Sequence, residues 1–267
     1  MHYERQGSGK PLLLVHGLGS SLRNWDPVVP ALAAEREVVA VDLPGFGATP
    51  PLEGAVTIAT LTDAVERFVE SEGLAGVDIV GSSMGARMVL EMARRGHAGI
   101  TVALDPGGFW TDRQRALFGA SIKASVALVR SIQPALPALT RTAAGRTALL
   151  AQFSARPWKL DADLVLTELQ GFKTARSLDE ALASLIHGPR QQGAPAGSLA
   201  RKVVLGWGRQ DLVTLPSQAT TANALFPDAI LHWFEACGHF PHWDQPDEAA
   251  RLILSCTSRV DGLQRLD

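Results

Sequence analysis

VDIVGSSMGARMVLEMARR, residues 77–95, decides how the rest of the chain is read. An apolar run, Val77, Ile79 and Val80, meets Gly81-Ser82-Ser83-Met84-Gly85 and passes at once into a helical pattern. A strand that reverses into a helix within about one turn forces the central residue of that pentapeptide into strained backbone and pushes its side chain outward. Gly81 and Gly85 have no Cβ to clash at the corner. Ser83 therefore stands clear of the sheet at the positive end of the next helix, a candidate nucleophile with the Met84 N–H placed to hold an oxyanion. Small residues in any tight turn could spell the same pentapeptide, so the flanking strand and helix carry the reading.

On either side of this stretch the chain alternates. Residues 1–5 read as a short edge strand, and PLLLVH (11–16) has the unbroken apolar character of a parallel strand covered on both faces, ending in Gly17-Leu18-Gly19. Residues 24–35 read as a helix with Trp25, Val28, Val29 and Leu32 inward. VVAVD (38–42) is the next strand, with Asp42 holding the turn at 43–47, and residues 57–72 place Ile58, Leu61, Val65, Phe68 and Val69 on one helical face. ITVALD (100–105) is another buried strand. Alternation of this kind implies a parallel sheet wound by right-handed crossovers.

After Asp105 the alternation stops. Residues 107–197 show no strand pattern and read as several helices, a cap inserted into a core domain made of residues 1–106 and 198–267. The sheet resumes at RKVVLGW (201–207), followed by a helix at 216–225, a strand AILHWF (229–234) and a closing helix at 247–260 capped by Asp247.

Composition narrows the partners. With 46% hydrophobic residues over 267 positions, one large core is available. The formal charge is -2 with 25 basic residues scattered along the chain, so neither nucleic acid nor a membrane surface is expected to bind. The start MHYERQGSGK lacks the apolar core of a signal peptide, and no apolar run reaches the roughly 18 residues that span a bilayer. A cytoplasmic monomer or homodimer is the expectation. Cys237 and Cys256 are too few for a disulfide framework and read as buried thiols; no Cys/His cluster has zinc spacing, so no metal and no organic cofactor is expected.

A serine hydroxyl is a weak nucleophile until a base takes its proton, and the base needs a carboxylate to set its tautomer. His239 lies in Cys237-Gly238-His239-Phe240, in the loop leaving the last apolar strand and so at the carboxyl edge of the sheet. His242, beyond Pro241, is the lesser alternative. Asp211 follows Trp207-Gly208-Arg209-Gln210 at the same edge, with Asp105 as the competitor that also ends a strand. His16 reads as a brace for the glycine loop, and Leu18 in that loop can present a second oxyanion N–H.

This order of oxyanion loop, serine, aspartate and histidine resembles the α/β-hydrolase family, in particular its cap-bearing branch, over essentially the whole chain. The matching pieces are HGLG (16–19), DLPGFG (42–47), GSSMG (81–85), GRQDLVTLP (208–216) and CGHFPHWDQP (237–246). The resemblance implies an α/β fold of mostly parallel sheet flanked by helices, with the helical cap inserted after the sixth strand. It assigns triad roles to Ser83, Asp211 and His239 and oxyanion donors to Leu18 and Met84. Dehalogenases and epoxide hydrolases of this fold carry Asp at the elbow, and Ser83 argues against both. Carbon–carbon bond hydrolases place Trp after the histidine and Arg in the cap; here Phe240 follows, and no cap arginine stands out. The short N-terminus leaves room for fewer antiparallel strands than the full fold has.

Trp25, Phe109, Trp110, Phe153, Trp158 and Phe240 are the candidate apolar contacts of a substrate, each with packing inside the cap or core as its alternative role. With no charged clamp in view, the expected activity is hydrolysis of a small, mainly apolar, uncharged ester through an acyl-enzyme. Carbon–carbon hydrolysis, lactone opening and acyl or peroxyacid chemistry would use the same triad. A hydrolase-fold receptor with little turnover is the alternative of another class.

Overall fold

The computed structural model describes residues 1–257. Strands β1 (Tyr3–Gln6) and β2 (Pro11–Val15) lead through a 3-10 turn at Leu22–Trp25 and the short α1 (Val29–Ala33) to β3 (Glu37–Val41). Next come α2 (Ile58–Ser71), β4 (Asp78–Ser82), α3 (Met84–Arg95) and β5 (Thr101–Leu104). Five helices follow: α4 (Asp112–Ser131), α5 (Leu136–Thr140), α6 (Ala143–Leu150), α7 (Ala162–Thr174) and α8 (Leu178–His187). The chain then returns to the sheet with β6 (Val203–Gly208), α9 (Ser217–Leu225), β7 (Ile230–Phe234), α10 (Pro241–Asp244) and α11 (Pro246–Thr257).

The seven strands form one sheet in the order β1-β3-β2-β4-β5-β6-β7. β1 runs antiparallel to β3, and every other pairing is parallel. Alternate residues of the strands face two cores. Leu13, Val15, Ile79, Ala103 and Leu205 join α2, α3 and the cap on one side. Leu12, Leu14, Val80, Val102 and Val204 meet Leu22, Trp25, Val28 and Leu32 and the inner face of α11 on the other. Both faces are covered, which is why these strands read as continuous apolar runs.

Three details depart from the sequence reading. The helix expected over 24–35 is broken into the 3-10 turn and α1, because Pro27 and Pro30 lack the N–H that a continuous helix needs and crowd the preceding turn. The helical insertion follows the fifth strand rather than the sixth, since a single antiparallel strand precedes the parallel set. The closing helix begins at Pro246, which leaves Asp247 in its first turn; the part of the expected helix past residue 257 lies outside the described residues. Among the described residues, no helix is long and apolar enough to cross a membrane.

Register sets the site. Val15 pairs with Gly81, Ser82 with Leu104, Leu104 with Gly206, and Gly208 with Phe234, so the strands end level with one another. The loops carrying Gly17, Ser83, Asp105, Asp211 and His239 therefore leave one edge of the sheet. At the elbow the backbones are in close contact: a Cβ on Gly85 would fall on the carbonyl oxygens of Val15 and His16, and one on Gly81 would fall on the Gly85 carbonyl. Gly85→Ala is expected to lower stability by about 3 kcal/mol, the upper range for overpacking a site that cannot relax, as read by urea unfolding.

Candidate active site

Ser83 is the residue between β4 and α3, with φ 54° and ψ -112°, a backbone geometry that L-residues rarely adopt. The strain is held by the glycines around it, and its result is that the hydroxyl projects over the sheet edge. Ser83 Oγ lies 2.8 Å from His239 Nε2, and His239 Nδ1 lies 2.8 Å from Asp211 Oδ2. The carboxylate can only accept, so Nδ1 carries the proton toward Asp211 and Nε2 is left to accept from Ser83. Asp211, fully buried after β6, also accepts the Val213 and Thr214 N–H groups at 2.7 and 3.0 Å and the Thr214 hydroxyl at 2.6 Å. Burial alone would raise its pKa; the neighbouring His239, and then hydrogen bonding with Asp105 and the Thr214 hydroxyl, outweigh it and hold Asp211 below the ordinary carboxylate range.

The competing acid lies one step further back. Asp105, at φ 47°, accepts the Gly208 N–H at 2.9 Å and is completely buried. Burial, and then the charge of Asp211, push its pKa well above the ordinary value, so of the two carboxyls Asp211 is the one favoured to hold the negative charge. Among the described residues, Asp105, Asp211 and His239 are the one acidic and imidazole set whose ligating atoms all fall within 4.8 Å of one another. Asp211 already commits both oxygens to hydrogen bonds.

The two other buried histidines, His242 and His16, are structural. His242 Nε2 is 2.7 Å from Asn24 Oδ1, its ring centroid is 4.5 Å from that of Trp25, and burial followed by the nearness of His239 lowers its pKa to about 3. His16 accepts the Leu43 N–H at 3.0 Å, and its Nδ1 donates to Gly17 O at 2.7 Å, which braces the glycine loop; burial lowers its pKa to about 4. A Cβ on Gly17 would lie 3.2 Å from that of Ser83, so this loop runs directly beside the serine. Met84 opens α3, where first-turn N–H groups have no intrahelical partner, and Leu18 faces the cavity over Ser83.

That cavity leaves about 40 Å³ open. Phe118, Ile122 and Val126, four residues apart on α4, form one wall, and Phe153, Phe172, Leu178, Leu185, Val213 and Phe240 complete it. His239 is its one ionisable lining residue. Of the six expected substrate contacts, Phe153 and Phe240 are present, their rings stacked with centroids 6.2 Å apart. The other four are elsewhere. Trp25 is fully buried below the sheet against His242. Phe109 packs on the rings of Trp207 and Phe226, Trp110 stacks behind Phe118, and Trp158 is 48% exposed on a 3-10 turn. Phe109 and Trp110 leave β5 so soon that they are drawn into the underlying core. The spacing of Phe118, Ile122 and Val126 was a usable signal; nothing local marks which faces of α7 and α8 look inward.

Sequence reasoning also missed Thr214 and Asp244. Asp244 accepts the Gly238 and Ala155 N–H groups at 2.7 and 2.8 Å and the Ser154 hydroxyl, and the His239 N–H donates to Phe153 O at 2.8 Å. The histidine loop is thus stitched to the inserted helices. A second polar tie joins α7 to the core: Asn24 Nδ2 donates to Glu168 at 3.1 Å, and the same Asn24 contacts His242. Burial raises the Glu168 pKa to about 7. Cys237 is a buried free thiol, and Cys256 is half-buried rather than buried as expected.

The model of the alpha/beta hydrolase family matches residues 12–252, and the chain belongs to that family. It is a hydrolase-family protein with the family's mostly parallel sheet. Among curated relatives it is 28% identical over 263 residues to the dihydrolipoyllysine-residue acetyltransferase component of the acetoin cleaving system of Cupriavidus necator, a match covering 95% of this chain and 65% of the relative. The chain thus spans less than two thirds of that protein. It is 25% identical over 266 residues to 2-hydroxy-6-oxononadienedioate/2-hydroxy-6-oxononatrienedioate hydrolase 1 of Dechloromonas aromatica, covering 95% of this chain and 89% of the relative. A thermophilic esterase from Thermogutta terrifontis shares the fold with a TM-score of 0.73 at 17% identity, over 95% of this chain and 91% of that one.

Glu168 generates a pH prediction. Folded, it keeps its proton up to about pH 7, against 4.5 for an ordinary glutamate, so the folded chain binds more protons between those values. Its contribution to stability is full below pH 4.5 and is lost as pH rises toward 7, by on the order of 3 kcal/mol. Urea unfolding at pH 5 and pH 7.5 should show Glu168→Gln lacking this part of the slope.

Proposed function

We propose that the protein is a serine hydrolase of small, mainly apolar, uncharged carboxylic esters, working through an acyl-enzyme. The observation that carries the reading is the unbroken hydrogen-bonded chain from Ser83 Oγ through His239 to Asp211, at 2.8 Å in both links, opening on a cavity with no charged wall residue beyond the histidine. Ser83 attacks the ester carbonyl as His239 takes its proton. The oxyanion of the tetrahedral intermediate is held by the Met84 and Leu18 N–H groups, each such donor being worth about 3 kcal/mol. His239 then protonates the leaving alcohol. The same imidazole activates the water that releases the acid, with Asp211 keeping the tautomer and stabilising the imidazolium. None of these steps calls for a metal or an organic cofactor. The open space of about 40 Å³ holds only a few waters, so a substrate enters as the inserted helices that wall the cavity shift.

A second reading, carbon–carbon hydrolysis by the same three residues, is favoured by the curated relative that acts on an oxo-dienedioate. Against it stands the apolar wall, which offers no cationic partner to a dicarboxylate. Lactone opening would use the same chemistry as ester cleavage. A receptor with little turnover would keep the same geometry without the rate.

Two experiments test this. A fluorophosphonate should label the protein and fail to label Ser83→Ala, and short p-nitrophenyl esters should turn over at least 10³-fold above background. A near-background rate with tight binding of the ester would instead indicate a receptor, and cleavage of an oxo-dienoate in preference to esters would indicate carbon–carbon chemistry. In the second, Asp211→Asn should lower kcat by about 10⁴. Asp105→Asn, which preserves the acceptor for Gly208, should lower it less than about 10-fold; loss of activity in Asp105→Asn alone would reverse the assignment of the acid.

A further inference from the structure

Two arginines are deeply buried among the described residues, and they are treated differently. Arg36 is saturated: it donates to Lys10 O, Pro11 O, Thr257 O and Oγ1, and pairs with Asp78 at 2.9 Å. Arg87, 3% exposed on α3 four residues past Ser83, donates from Nη2 to Pro189 O and has no other partner; its Nε and Nη1 are unsatisfied. Among the described residues no carboxylate forms an ion pair with it: the nearest on its own helix, Glu91, is taken by Arg94 and Arg95. A buried cation with two idle donor groups is unfavourable unless an anion completes it.

The surroundings supply a place for one. Arg87 lies where two clefts meet, of about 130 and 740 Å³, both also lined by Ile58, Ala59 and Pro189. Ile58 and Ala59 open α2, a helix of 14 residues capped by Thr57. Its Ile58 N–H is used by Ser184 Oγ and its Thr60 N–H by Thr57 Oγ, whereas the Ala59 N–H has no partner among the described residues. Arg87 and the opening turn of α2, with its unpaired Ala59 N–H, thus line the same junction. The smaller cleft adds Arg94, Arg95 and Arg190 against Glu91, and the larger one combines the apolar Ala55, Val56, Ala183 and Pro189 with Thr57, Ser184, His187 and Glu180.

We propose that this junction binds a small organic carboxylate, its head group between Arg87 and the Ala59 N–H and its apolar body in the larger cleft. The site is separate from the cavity over Ser83 and shares no lining residue with it. Helix α8 stands between them, with Leu178 and Leu185 toward the serine and Ala183, Ser184 and His187 toward the cleft.

The test titrates the full chain with sodium hexanoate, sodium benzoate or inorganic phosphate at constant ionic strength, followed by thermal unfolding and calorimetry. Hexanoate or benzoate should raise Tm saturably by about 3 °C or more, with phosphate at least about 10-fold weaker. Arg87→Met should abolish the effect, and Ala59→Pro, which removes the N–H at a first-turn position where proline is tolerated, should weaken it. Ser83→Ala should bind as the parent does, so failure of the hydrolase reading leaves this result intact. The proposal is overturned if none of the probes gives a saturable shift, or if the shift survives in Arg87→Met and Ala59→Pro. Phosphate binding as tightly as hexanoate would overturn the organic ligand.

Discussion

The close approach of α3 to the end of β2 is the constraint on which the rest depends. Gly85 rests on the Val15 and His16 carbonyls, Gly81 on the Gly85 carbonyl, and Gly17 beside the Ser83 side chain. With side chains at these places the helix would be held away from the sheet, and Ser83 would relax from its positive φ. The contact does two things at once. It projects the serine hydroxyl, and it holds the glycine loop against it, so the candidate nucleophile and the candidate oxyanion donors are built by one packing arrangement.

Around that corner, charge is rationed by burial. Two aspartates follow adjacent strands with their side chains together in a space that water does not reach, and the shifts of the two run in opposite directions. The donors decide which is lowered. Asp211 faces two backbone N–H groups, a hydroxyl and the imidazole, whereas Asp105 accepts a single N–H from Gly208. The imidazole is therefore oriented by the acid whose charge is favoured, and the acid whose pKa is raised lies behind it. His242 and His16, equally buried, are kept uncharged and serve as hydrogen-bonded struts.

The inserted helices are more than a roof. Phe153 O takes the His239 N–H, and Asp244 ties the Gly238 N–H to Ser154 and Ala155, so the loop that presents the imidazole is held by the segment that closes the cavity. Movement of that segment to admit a ligand would be felt at the histidine. On the far side, Glu168 anchors α7 to Asn24 through a hydrogen bond from which water is excluded.

Much of this was written in the linear order. Apolar runs covered on both faces, the glycines of the elbow, and histidine and aspartate in loops leaving consecutive strand ends were enough to foresee the sheet and the meeting of Ser83, His239 and Asp211 at one edge of it. These features are local: a strand buried on both sides must be apolar throughout, and a sharp turn must lack Cβ atoms. The lining of the cavity and the state of Asp105 were decided only in three dimensions. Trp25, Phe109, Trp110 and Trp158 have the composition of pocket residues and lie in the core or on the surface. Phe172, Leu178 and Leu185 line the pocket because of how α7 and α8 dock, and an apolar side chain carries no mark of which partner will cover it. The protonation of Asp105 and the idle donors of Arg87 likewise depend on what lies nearby across the fold, which no stretch of neighbouring residues encodes.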